Sequence, residues 1–222
     1  KHFIDLNSMQ LFLNTIILVF FSSVILISLA FISNYGNRVT KSKLLEAFTT
    51  FSISGYAIPG IILAVAFITF ISWFDNNIIN FFGANTIKSI FIGSILGLVL
   101  VYFIRFYSLA CNGIKSGYLK INYSIDESSY LLGYSKFKTF TNIHLPYLKN
   151  SILLIGVLIA IEIIKELPII LIMRPFNFET FATTAYVFAS QDLLEAAATP
   201  SLFLVLIASI FILITSRYII NE

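Results

Sequence analysis

Five long apolar runs, separated by short polar stretches, set the pattern of this chain: about residues 11–32, 52–74, 87–109, 147–173 and 201–220. The first, from Leu11 to Ile32, is uncharged. At 1.5 Å per residue it is long enough to cross the roughly 30 Å hydrocarbon core of a bilayer. Residues 1–10 are mixed and read as interfacial, and Arg38, Lys41 and Lys43 form a short polar loop after the first run. The second run contains Gly55-Tyr56-Ala57-Ile58-Pro59-Gly60. Pro59 lacks a backbone donor, which predicts a bend there. Trp73 and Asp75 mark its far end as an interface. The third run holds Gly93 and Gly97 at small-xxx-small spacing, which predicts close helix contact. Its Arg105 is expected near the exit, snorkelling to the headgroups. The fourth run begins near Pro146, and the last follows a polar segment from Arg174 to Pro200.

The longest polar interruption lies between the third and fourth runs, over residues 124–146. Ser124 and Glu127 have capping-box spacing, so a short helix is expected to start there, with Gly133 as its stop. Ser135 can cap a second short helix, and Pro146 suits the first turn of the next span. The loop also carries Tyr130, Leu131, Leu132, Tyr134, Phe137 and Phe140. So much apolar surface calls for a cover. Either a cytoplasmic partner docks on it, or it folds back onto the bundle.

Composition agrees with a membrane protein. Of the 222 residues 58% are hydrophobic and 11% charged, against roughly 25% charged in a soluble domain. The expected fold class is therefore all-α integral membrane, as one five-helix transmembrane bundle with no appended soluble domain. The net charge of +3 matters less than its placement. Loops at 38–43, 105–149 and 217 are basic, whereas 75–86 and 174–200 hold almost no cations. That alternation predicts the amino end outside and the carboxyl end inside. An outside amino end, and a chain opening at Lys1, lead us to expect one part of a longer protein with a further helix upstream. Cys111 is the lone cysteine, and His2 and His144 are single and distant. No metal site is expected. No phosphate-binding G-x-x-x-x-G-K-[ST] loop and no nucleophile–base set occurs, so catalytic residues and ATP hydrolysis by this chain are not expected.

The fourth run carries Glu162, Lys165 and Glu166, then Leu167-Pro168. Three ionised groups facing lipid cost on the order of 8–10 kcal/mol, at about 2.5–3.5 each. The aliphatic residues of the span return only about 5–9 kcal/mol. The three positions fall within roughly a 100° arc of one helix, so a single rotation turns all of them inward, where Lys165 can pair with either glutamate. Pro168 frees carbonyls, which is tolerable only beside protein or water. Glu162, Lys165, Glu166 and Pro168, with Arg174 beyond them, are thus candidates for a polar substrate path. The bland alternative is a buried ion-pair staple.

Glu127-Ser128-Ser129, three residues, Gly133, nine residues, then Ile143-His144-Leu145-Pro146 resembles the E-A-A-x3-G-x9-I-x-L-P signature of type I ABC-transporter permeases. Serines replace both alanines. Lys165-Glu166-Leu167-Pro168, Arg174-Pro175-Phe176-Asn177-Phe178-Glu179-Thr180 and Gly55 to Gly60 are similar to motifs of the iron(III) subgroup, carboxyl-terminal half. The resemblance covers nearly the whole chain. It implies the five-helix bundle of the type I ABC permease (MetI-like) kind in a bacterial inner membrane. A separate ABC ATP-binding subunit, which binds the ATP, would seat on the coupling helices at Asp126, Glu127, Ser128, Ser129, Leu132, Gly133, Ile143, Leu145 and Pro146. The resemblance further implies a second permease half, a periplasmic substrate-binding protein, no cofactor on this chain and ferric iron as cargo. No nucleic acid partner is expected. Two other readings stay open: an ion-gradient-driven transporter or channel half working through residues 162–166, and a non-transporting scaffold whose loop recruits a soluble partner.

Overall fold

A computed structural model describes residues 6–82 and 89–220; all the described secondary structure is helical. The first half of the interfacial segment expected over 1–10, with His2, and the predicted start of the third span at Ile87 lie outside the described residues. Helix α1 spans Leu6–Thr40, α2 Lys43–Ile53, α3 Gly60–Phe82, α4 Ile95–Tyr118, α5 Tyr123–Leu131, α6 Lys136–Thr139, α7 Leu145–Lys165, α8 Pro168–Met173, α9 Phe181–Ser190 and α10 Leu194–Ile220. Five stretches are long and apolar enough to cross a membrane: Ser8–Thr40, Gly60–Ile79, Ile95–Tyr118, Lys136–Lys165 and Leu194–Arg217.

Each span departs from its sequence-based bounds in an explicable way. The first runs on to Thr40, so Arg38 stands on a helix and not in a loop. The second crossing is not one bent helix. Helix α2 climbs along α4, a 3-10 turn follows over Ser54–Ala57, and α3 begins afresh at Gly60, just after Pro59. Helix α4 starts only at Ile95, where the Ser94 side chain caps it by accepting from Gly97 N. Gly93 therefore sits before the helix at φ +66°, and a Cβ on Gly97 would overlap the Phe91 carbonyl. Those glycines fold the turn onto the helix and do not serve helix–helix contact.

The close contact predicted for them occurs lower on α4, at Gly113 and Gly117. A Cβ on Gly113 would stand 2.5 Å from Ile155 of α7, and one on Gly117 2.8 Å from Leu148. Asp75 also has an internal role. It is buried, and its carboxylate accepts the N–H groups of Ile90, Phe91 and Ile92 at 3.1–3.2 Å. One carboxylate thus satisfies a turn whose backbone donors would otherwise be orphaned.

The fourth crossing is a continuous rod from α6 through a π turn, Phe140–His144, into α7, with Pro146 in the first turn of α7. It ends where Glu166 turns extended (ψ 114°) and Pro168 opens α8. The last span starts earlier than expected, at Leu194, with Pro200 inside it, and the segment before it holds α9. The core joins α1, α3, α4, α7 and α8 through Leu26, Leu63, Tyr102, Phe106, Ile114, Ile159 and Ile170.

Close approach of the 3-10 turn to α4 depends on Gly55, whose absent Cβ would overlap the backbone carbonyl of Ile104. Gly55→Ala is expected to lower stability by about 1–3 kcal/mol, since backbone must shift. Gly156→Ala, whose Cβ would meet Ile27 Cδ1 at 3.4 Å, should be near neutral. Unfolding midpoints of the two variants in one detergent check this.

Candidate functional site

Two places concentrate polar chemistry: the loop between α4 and α7, and a joint halfway up the bundle where two crossings are interrupted. In the loop, Asn122 and not Ser124 caps α5; its side chain accepts from Ser124 N at 3.3 Å. Ser124 lies inside the helix, so the expected capping box does not form. Gly133 does end the helix, at φ +82°, and Tyr134 N closes on Ser129 O at 3.0 Å. Glycine takes that conformation at little cost. The Ser135 side chain caps α6 by accepting from Lys138 N.

Helix periodicity divides the predicted docking residues between two faces. Asp126 and Ser129 point inward and are buried, Ile143 is half-buried, and Glu127, Ser128, Leu132, Gly133, Leu145 and Pro146 are exposed. Asp126 is therefore corrected from docking surface to internal brace. Its Oδ2 accepts from Arg38 Nε at 2.6 Å, and its Oδ1 lies 2.9 Å from His144 Nε2, outside hydrogen-bond geometry. The same guanidinium donates to the carbonyls of Ile121 (2.9 Å) and Asn122 (3.1 Å), and lies 4.3 Å from the Tyr123 ring centroid. Arg38 thus caps the end of α4 while holding the start of α5, a use of arginine's forked donors that lysine cannot copy. Ser129 Oγ donates to Asp126 O (2.7 Å) and meets Thr139 Oγ1 at 2.9 Å, tying α5 to α6. Tyr35 donates to Lys136 O at 2.6 Å, and Phe140 packs against Phe31 and Tyr35.

Part of the apolar surface of the loop folds inward, then, but not all of it. Leu131 is 89% exposed, Leu132 77% and Phe137 74%. A rigid base presents three large apolar side chains outward.

The joint lies at Glu166, where the fourth crossing is broken, beside Gly60, where α3 begins. A Cβ on Gly60 would come within 2.6 Å of Glu166 Oε1 and 3.5 Å of Pro168. Arg105 of α4 stands between them, its Nε 3.5 Å from Glu166 Oε2, and it donates to the Ile58 carbonyl left free by the interruption. Arg105 is about 20 Å of helix from Tyr118, so it is mid-span and not a snorkelling residue at the exit. The expectation failed because α4 runs nine residues further than the apolar run suggested. Nor do all three charges of the fourth crossing turn inward together: Glu166 is buried, but Lys165 is 62% exposed and pairs with Glu162 at 2.6 Å. The helix ends before Glu166, so its direction is no longer set by helical phase. Arg174 lies apart from this cluster, paired with Glu179 beyond α8, where Asn14 donates to Glu179 O. A cavity of about 500 Å³ opens there, lined by Asn14, Asn177, Glu179, Thr184 and Thr199. No group of metal-ligating side chains occurs among the described residues. The internal partners of Arg38, Arg105 and Asp75 were not foreseen from the sequence; the signal available was a charge at the end of, or within, an apolar run.

With Arg38 and Asp126 both nearly sealed from solvent, removing one leaves a buried unpaired charge. Arg38→Met should cost about 3–5 kcal/mol. Combining it with Asp126→Leu should recover most of the loss, read as the unfolding midpoint of each variant.

The same arrangement of helices occurs in solved structures. A chain of a bacterial ABC transporter involved in the import of the acidic polysaccharide alginate superposes with a TM-score of 0.76 at 18% identity, over 97% of this chain and 80% of that one. A second, from a bacterial alginate ABC transporter in complex with alginate pentasaccharide-bound periplasmic protein, gives 0.78 at 18% identity, over 97% and 79%. No family model and no curated protein matches the sequence. What the likeness shows is the fold: an all-helical membrane bundle of the kind found in bacterial ABC importers.

Proposed function

We propose that this chain is a multi-pass permease subunit of a bacterial inner-membrane ABC importer, forming part of the substrate path and coupling it to ATP hydrolysis on a separate subunit. One observation carries the reading: Leu131, Leu132 and Phe137 stand exposed on a loop whose other face is held by Arg38, Asp126, Ser129 and Thr139. A braced base with an apolar outer face is what a protein partner needs in order to push the bundle. Glu127, Ser128, Gly133, Leu145 and Pro146, exposed in the same region, belong to that surface, with Ile143 at its edge. The basic residues at this end support a cytoplasmic position for it. A periplasmic binding protein would then meet the opposite end, at Arg174 and the cavity beside Glu179, and a second permease half would complete the path.

Lys165 supports the path itself. A cation 62% exposed in the lone chain, at the level of Arg105, cannot face hydrocarbon cheaply. Water or a partner subunit must cover it. The two carboxylates nearby each face a cation, Lys165 for Glu162 and Arg105 for Glu166, so an ion-gradient mechanism would begin by breaking an ion pair. We take ferric iron as the cargo on the motif resemblance alone.

Leu131→Asp with Phe137→Asp should cut co-purification of the ATP-binding subunit at least about tenfold with an unchanged unfolding midpoint. Cysteines at Leu132 should crosslink to that subunit, Cys111 being buried; labelling of them from outside the cell would end the proposal. Lys165→Met should lower uptake of radioactive iron with assembly intact, and uptake that ignores iron altogether would remove the cargo assignment.

A further inference from the structure

A second cavity, of about 660 Å³, lies between the end of α1, the start of α2 and the end of α4, at the same end of the bundle as the coupling loop. Lys41, Lys115 and Lys120 line it together with Arg38, and Glu46 is the carboxylate on its wall. Arg38 is already matched by Asp126. Lys41, Lys115 and Lys120 take part in no ion pair among the described residues. The pocket therefore carries an excess of two positive charges over its glutamate. Neutral hydrogen-bonding groups fill the rest of the wall, Asn34, Asn37, Thr49 and Asn122 among them.

We infer that this pocket holds the phosphate headgroup of an anionic phospholipid from the adjoining leaflet. Three lysines outside any ion pair, with Lys41 Nζ 5.5 Å from the Tyr123 ring centroid, supply the attraction around a concave polar wall, worth a several-fold gain in affinity for each cation near a charged membrane surface. Depth agrees as well: the wall begins at Asn34 and Cys111, just past the apolar runs that end at Ile32 and Leu109, where spans are expected to leave the hydrocarbon. Part of its rim is apolar: Leu119 and Tyr123 line the pocket and are exposed, so acyl chains have a surface to follow once the headgroup is seated. A soluble anion would find the lysines but gain nothing from that rim. The pocket is also separate from the loop's outward face, since Leu131, Leu132 and Phe137 do not line it. Because Arg38 forms part of the wall, an occupied pocket leaves the brace on Asp126 less exposed to water. The inference needs only that this end of α4 lies at a membrane surface. It stands or falls apart from the importer reading.

Native mass spectrometry of the detergent-solubilised chain, titrated with phosphatidylglycerol, phosphatidylcholine and soluble glycerol phosphate, tests it. Phosphatidylglycerol should be held at least about tenfold more tightly than phosphatidylcholine. That preference should vanish in the Lys41→Gln, Lys115→Gln, Lys120→Gln triple variant and survive in the matching lysine-to-arginine triple. It should also survive in Lys136→Gln, Lys138→Gln, Lys149→Gln, which removes equal charge from the same end. Equal retention of the two lipids by the unaltered chain overturns the proposal without recourse to any variant. So does an equal loss in the control triple, which would make the effect one of net charge. Glycerol phosphate binding as tightly as the lipid would make the ligand a soluble anion. A triple variant that keeps its lipid but loses the ATP-binding subunit would make the pocket a protein contact.

Discussion

The guanidinium of Arg38 is the constraint on which the loop end of this bundle depends. Five spans can pack in hydrocarbon by shape alone, but the segment that leaves α4 and returns as α7 turns several of its large apolar side chains, Leu131, Leu132 and Phe137, outward. Arg38 fixes that segment by meeting Asp126 at 2.6 Å and the carbonyls of Ile121 and Asn122 at the same time. The desolvation of both charges is offset only because nearly every donor of the fork finds an acceptor. Ser129 and Thr139 then need only one hydroxyl contact to carry the same order into α6. What remains exposed is an apolar face on a base that does not yield.

From that base a single helix leads inward. Lys136–Lys165 is continuous apart from a π turn at Phe140–His144, and it ends at Glu166, beside Arg105 and the start of α3. A displacement of the loop therefore reaches the middle of the bundle without crossing a flexible segment. There it meets two interrupted crossings at one level, the α2–α3 turn and the α7–α8 break. Interrupted helices expose backbone groups that lipid cannot satisfy, and Arg105 answers part of that need by donating to Ile58 O. The ion pair with Glu166 joins the two interruptions, so neither can shift without disturbing the other. Gly60 makes the approach possible, because any side chain would fill the space of the carboxylate.

Much of this was legible in the sequence, and the parts that were share a cause. The five apolar runs, the stop at Gly133, the cap at Ser135, Pro146 in a first turn and the break before Pro168 are all local properties. Each follows from the hydrophobicity of a run or the allowed dihedrals of one residue. Expectations that went astray did so at span ends and over partners. The third apolar run stops at Leu109, yet α4 continues to Tyr118. Arg105 accordingly lies mid-helix, and it is Gly113 and Gly117, not Gly93 and Gly97, that pack on α7.

The sequence by itself determined that this is a helical membrane chain with a polar, partly apolar loop and a charged, proline-broken fourth span. Only the tertiary structure decided which charges meet. Arg38 and Asp126 lie 88 residues apart, and nothing in the neighbourhood of either marks the other as its partner. Their pairing depends on the vertical register of α1 against α4, just as that of Arg105 with Glu166 depends on α4 against α7. Register is set by the sum of many side-chain contacts along two helices, a quantity that belongs to the packed pair and to neither helix alone.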